Sequence, residues 1–107
     1  MTDHFRLTLA QMNPTVGAIA ANAAKVRAAW AAGKAARAQM VAMTEMFITG
    51  YQTRDLIMKP AFVRDAMAAL EELAVACADG PALGVGGPWW DGARLYNAYW
   101  IMERGKI

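Results

Sequence analysis

Met40-Val41-Ala42-Met43 is an apolar run too short for a helix, and within two residues it meets a lone carboxylate, Glu45, before the chain breaks at Gly50. Such a run fits a strand covered on both faces, and strands of that kind belong to parallel sheets flanked by helices. The run therefore commits the chain to an α/β architecture before any other segment is read. It also raises a question of chemistry. Burying an unpaired carboxylate is costly, so Glu45 either completes a structural hydrogen-bond set or stands in a site.

The flanking segments supply what a parallel strand requires. Upstream, Phe5 to Met12 alternates large apolar with polar or small residues, which predicts a strand with Phe5, Leu7 and Leu9 on one face. Asn13-Pro14 ends it, Gly17 completes a short connection, and from Ala18 the period becomes helical, with Ile19, Ala23, Val26, Trp30 and Gly33 at steps of four and three. Lys25, Arg27, Lys34 and Arg37 take the other faces and read as solvated surface, because no Gly-rich phosphate loop precedes them. Strand, helix and strand in this order form a βαβ unit with parallel strands. Functional groups gather at the carboxyl ends of strands in open α/β sheets, and Glu45 is placed at such an end.

Downstream, Gly50 to Asp55 is a polar loop and Leu56-Ile57-Met58 a short apolar turn. Pro60 suits the first turn of a second helix, along which Val63, Ala66, Met67, Leu70, Leu73, Ala74 and Cys77 recur at helical spacing until Asp79-Gly80-Pro81 stops it. Ala82 to Gly87 reads as a third strand whose glycines admit close backbone approach. Pro88-Trp89-Trp90-Asp91-Gly92 follows where a phosphate-binding loop would need a helix, so Gly84-x-Gly86-Gly87 is not read as one. Arg94 to Met102 alternates again as a fourth strand, with Leu95, Asn97, Tyr99 and Ile101 opposing Tyr96, Ala98, Trp100 and Met102. Glu103-Arg104-Gly105 then makes a hairpin turn. A returning strand of only two residues leaves an edge that wants more chain or a partner, so residues 1–107 are expected to be one domain, incomplete at its C-terminal end.

Composition narrows the classes of function. The apolar share is 57%, much of it alanine, and the net charge is +2 with Lys and Arg scattered among acids, which is no nucleic-acid footprint. Neither a signal peptide nor an apolar run long enough to span a membrane is present in the sequence. The one cysteine, Cys77, cannot form an intramolecular disulfide, fits a reducing compartment, and reads as a small buried thiol on the packing face of the second helix. A cytoplasmic location is expected, with no partner among membranes or nucleic acids and no metal site.

Four stretches resemble a known family. Leu9-Ala10-Gln11-Met12-Asn13-Pro14-Thr15-Val16-Gly17 with Asn22, then Thr44-Glu45-Met46-Phe47-Ile48-Thr49-Gly50-Tyr51, then Gly86-Gly87-Pro88, then Leu95-Tyr96-Asn97-Ala98 are similar, in this order, to the opening third or so of the nitrilase (carbon–nitrogen hydrolase) superfamily. Within it, Gly50 to Leu56 and the second helix look most like the N-terminal glutaminase domains of bacterial enzymes of NAD synthesis. The resemblance implies the first part of an α-β-β-α sandwich, in strand-helix-strand-helix-strand-strand order, and a Glu-Lys-Cys triad that hydrolyses a carbon–nitrogen bond. Glu45 matches the family's glutamate, the general base toward the cysteine. The thiolate attacks the side-chain amide of glutamine, the lysine stabilises the oxyanion, and ammonia passes to a synthetase domain that uses ATP and deamido-NAD.

By the same resemblance Tyr51 lines the substrate mouth and the completed protein is a homo-oligomer. No cofactor is implied for residues 1–107 themselves. Cys77 lacks the context of the family's nucleophile and Lys106 precedes the family's lysine motif, so the chain by itself is expected to be inactive. Thr44 departs from the pattern, since the family usually has proline before the glutamate; threonine keeps an N–H and leaves φ free. Two further readings stay open: another amidase of the superfamily, and a non-catalytic α/β module completed by a partner chain.

Overall fold

A computed structural model of the chain describes residues 4–107. The element order is β1 (Leu7–Leu9), α1 (Ile19–Ala35), β2 (Met40–Ala42), a short 3-10 helix (Arg54–Met58), α2 (Pro60–Ala76), β3 (Ala82–Trp90) and β4 (Leu95–Met102). The strands make one sheet in the order β1-β2-β3-β4, in which β1, β2 and β3 run parallel and β4 returns antiparallel to β3. This is the α/β arrangement and the element order expected from the periodicity.

Both helices lie over the same face of the sheet. α1 turns Val26, Ala29 and Gly33 inward, and α2 turns Val63, Ala66, Leu70, Leu73 and Ala74. Side chains alternate across a strand, so one parity of each strand meets them. Gly33 sits over Val41 and Thr8, while Leu83 and Val85 pair with Met102 and Trp100, and all but Thr8 are buried. Val26 and Ala29 of α1, Ala66, Leu70, Leu73 and Ala74 of α2, and the inward residues Val41, Leu83, Val85, Trp100 and Met102 of the sheet form one hydrophobic core with Met43, Phe47, Ile48 and Cys77.

The opposite face is apolar and is bare along β1 and β4, while on β3 Tyr99 covers Gly84 and the Thr44–Met46 main chain covers Gly86. Leu7 and Leu9 stand exposed on it, as do Tyr99 and Ile101, with Leu9 70% accessible. The expected burial of β2 on both faces is therefore corrected: Val41 is fully buried, but Met40 and Ala42 on the other parity are only half-buried. β1 is also shorter than the predicted Phe5–Met12, because only Leu7–Leu9 is laddered, opposite the three residues of β2. The face predicted to hold Phe5, Leu7 and Leu9 together turns away from the helices.

β3 is longer than predicted. It runs through Pro88 and both tryptophans to Trp90 and pairs with β4 along its length. Pro88 is tolerated for a geometric reason. The Gly84 carbonyl and the Gly86 N–H and carbonyl all bond toward the β2 side, and Pro88 shares their parity. β2 ends at Ala42, opposite Gly84, so at Pro88 that side has no strand neighbour and the missing N–H costs no ladder bond. The Leu56–Met58 turn is the end of the 3-10 helix, with Leu56 and Ile57 half-buried.

Candidate functional site at the carboxyl end of the sheet

Glu45 opens a turn, Glu45–Thr49, that follows the carboxyl end of β2 and lies against β3 at Gly86. It is exposed, not buried as its place after an apolar strand suggested, because β2 stops at Ala42 and the chain leaves the sheet before reaching it. Its carboxylate has no cationic partner within ion-pair distance among the described residues. The residues after it, Met46 to Gly50, are all buried. A free carboxylate thus stands on a backbone that is firmly seated.

Two sets of contacts seat that backbone. On the sheet side, the Gly86 N–H donates to the Thr44 carbonyl at 3.3 Å, the Ile48 N–H donates to the Gly86 carbonyl at 3.2 Å, and the Tyr99 hydroxyl donates to the Met43 carbonyl at 2.9 Å. On the helix side, Asn22 is a fully buried hub. Its Nδ2 donates to the carbonyls of Thr15 at 2.8 Å and Ile48 at 3.1 Å, and its Oδ1 accepts from the Thr15 N–H at 2.8 Å. The Gly17 N–H donates to the Thr49 carbonyl at 2.9 Å. Gly50 has φ +85° and a Cβ there would stand 2.6 Å from Val16 Cα, so the Asn13–Gly17 connection and the end of the Glu45 turn touch main chain to main chain.

Asn22 was legible as a position and not as a role. It falls in step with Val26, Ala29 and Gly33 on the inward face of α1, and a polar side chain on such a face needs hydrogen-bond partners. Which groups those are is set by the fold.

Tyr51 follows Gly50 at the same end of the sheet and is 64% exposed. Cys77 and Lys106 are at the other end. Cys77 caps α2 just before β3 begins, and Lys106 bridges to Glu103 directly after Met102, which pairs with Leu83 near the start of β3. The fold places both toward the amino end of β3, away from the turn that carries Glu45. Burial pushes the Cys77 thiol above its ordinary range, with the Arg27 charge pulling the other way. No cluster of His, Cys, Asp and Glu suited to a metal ion occurs among the described residues.

The order of these elements, with Glu45 just beyond β2, is the frame on which the comparisons with known proteins fall. Residues 6–107 match the carbon–nitrogen hydrolase family, and the chain belongs to that family. It is 63% identical, over its full length, to a glutamine-dependent NAD(+) synthetase of Rhodobacter capsulatus, of which it spans 19%. Among solved structures, it is similar to a glutamine-dependent NAD(+) synthetase from Cytophaga hutchinsonii, with 25% identity, a TM-score of 0.88, and coverage of 95% of this chain and 17% of that one. An amidase from Nesterenkonia sp. shares the fold at 23% identity and a TM-score of 0.68, over 80% of this chain and 33% of its own. The chain therefore corresponds to about a fifth of the length of its synthetase relatives. No helix among the described residues is long and apolar enough to cross a membrane.

Proposed function

We propose that residues 1–107 are the N-terminal portion of a single carbon–nitrogen hydrolase domain that hydrolyses glutamine and supplies ammonia for NAD synthesis. The observation that carries this reading is the 63% identity to the Rhodobacter capsulatus synthetase across all 107 residues. The apolar face of the sheet, bare along β1 and β4, supports it as well, since the second sheet of an α-β-β-α sandwich would pack there.

In this reading Glu45 is the general base. It takes the proton of a cysteine thiol supplied by another part of the same polypeptide, and the thiolate adds to the side-chain amide carbon of glutamine. A lysine, likewise supplied elsewhere, stabilises the oxyanion. Collapse of the tetrahedral adduct breaks the C–N bond, ammonia leaves with a proton returned by Glu45, and water cleaves the thioester to glutamate. Tyr51, exposed two residues after the Glu45 turn ends, lines the mouth through which glutamine enters. The ammonia is consumed by a synthetase domain that uses ATP and deamido-NAD, in the cytoplasm and within a homo-oligomer.

The complete polypeptide is expected to form glutamate from glutamine and to make NAD from deamido-NAD with glutamine as the nitrogen source. Glu45→Gln is expected to lower glutamine-dependent turnover by about 10²-fold or more while leaving turnover with free ammonia in place. Unchanged glutamine turnover in that variant would remove Glu45 from the role. A protein that ignores glutamine but cleaves simple amides is instead an amidase of the same family.

A further inference from the structure

The turn carrying Glu45 lies against β3 main chain to main chain, and Gly86 is the point of contact. A Cβ at Gly86 would overlap the Met46 nitrogen and would stand 2.6 Å from the Thr44 carbonyl oxygen and 2.7 Å from the Glu45 carbonyl carbon. These atoms belong to the peptide units around Glu45, and none can swing aside as the end of a side chain does. The Gly86 main chain also bonds to both ends of the turn, to Thr44 and to Ile48. Met46, buried, has φ +50°, a left-handed conformation that residues other than glycine seldom adopt, so the turn has little slack downstream of Glu45.

We propose that Gly86 is a positioning residue for Glu45: the missing side chain lets the turn seat against β3, and that seat sets where the carboxylate is held. The proposal rests on the reading of Glu45 as general base. A methyl group at Gly86 must push the Glu45–Met46 peptide away from the sheet, and a displacement of about 1 Å at a reacting group costs about 10²-fold in rate. Contacts that bind glutamine through other groups are left in place. The loss therefore falls on kcat, with KM little changed.

The test uses the complete polypeptide with Gly86→Ala, Glu45→Gln, the double variant, and Gly80→Ala, whose methyl has side-chain atoms of Trp30 and Lys34 as its nearest neighbours, at the other end of the sheet. Glutamine kcat, KM and Tm are measured for each. Gly86→Ala is expected to fold and to lower kcat by about 10²-fold with KM within about threefold of the parent. In the Glu45→Gln background it is expected to lower kcat further by less than about threefold, because its effect passes through that carboxylate. Gly80→Ala is expected to keep parental kcat. A Gly86→Ala protein with parental kcat, or losses that multiply in the double variant, overturns the proposal. So does a Gly86→Ala chain that fails to fold, which would make Gly86 a folding residue. Full activity in Glu45→Gln alone is a different result: it defeats the general-base reading, and the positioning role with it.

Discussion

The side-chain amide of Asn22 donates to the carbonyl of Ile48 at 3.1 Å, joining the first helix to the turn that carries Glu45 across 26 residues of sequence. The same amide closes two bonds with the Thr15 main chain. One buried side chain therefore holds the Asn13–Gly17 connection and the Glu45 turn together.

Asn22→Ala is expected to destabilise the protein by about 2–4 kcal/mol, because it strands a buried Ile48 carbonyl and two Thr15 groups as well as removing their partner. Asn22→Leu, of similar size, is expected to do no better, since the lost partners and not the lost volume dominate. Urea unfolding measures this as a lower midpoint at unchanged slope. A midpoint within error of the parent would show that water satisfies those groups.

Half-buried Trp30 and buried Trp100 should respond differently to loss of their indole N–H. Trp30 Nε1 donates to the Pro81 carbonyl at 2.9 Å, so Trp30→Phe is expected to cost about 1–2 kcal/mol. Trp100 Nε1 is buried with no partner among the described residues. Removing an unsatisfied donor offsets the smaller ring, and Trp100→Phe is expected to stay within about 1 kcal/mol of the parent. Paired denaturation curves compare them directly; a larger loss at Trp100 would count against the argument.

Stability should fall on the alkaline side. Burial raises Cys77 above its ordinary value of 9.0 and Tyr99 above 10.0, the Met43 carbonyl bond opposing the shift at Tyr99. Between the unfolded and folded values the folded state holds more protons, so the contribution is complete below pH 9.0 and is lost as pH rises through the raised values. Tm measured from pH 8 upward is expected to drop from about pH 9, and Cys77→Ala is expected to flatten the first part of the fall. An unchanged profile in Cys77→Ala would assign the fall to other groups.

Thr44→Pro should be tolerated. The Thr44 carbonyl accepts from Gly86, and among the described residues its N–H donates to no backbone carbonyl, so proline removes no such bond. It also narrows the unfolded ensemble ahead of Glu45, and stability is expected to be equal to the parent or higher by up to about 1 kcal/mol. A Tm lowered by several degrees would mean that φ at position 44 lies outside the range proline allows.

Local periodicity was enough to read both helices, the inward face of α2 and the four strands in order; on α1 it found Val26 and Gly33 but set Ile19, Ala23 and Trp30, which are half-buried, where Asn22 and Ala29 are the buried residues. It also placed Glu45 just beyond a parallel strand, because alternation and helical spacing are properties of neighbouring residues. The boundaries that went astray depended on partners instead. β1 is cut to Leu7–Leu9 by the length of β2, and β3 runs through Pro88 because β2 has already ended there. The apolar face left bare along β1 and β4 follows from both helices crossing on the same side, which no single segment records.

The order and type of elements, and an acid just beyond the second strand, are written in the local residue pattern. How that acid is held depends on the assembled fold. Asn22 to Ile48, Gly17 to Thr49 and Gly86 to Thr44 are contacts between segments far apart in the chain, and a hydrogen-bonding group is satisfied only by what the fold brings to it. Glu45 owes its exposure to the same cause: β2 ends, the turn seats on Gly86, and the carboxylate is left at the surface.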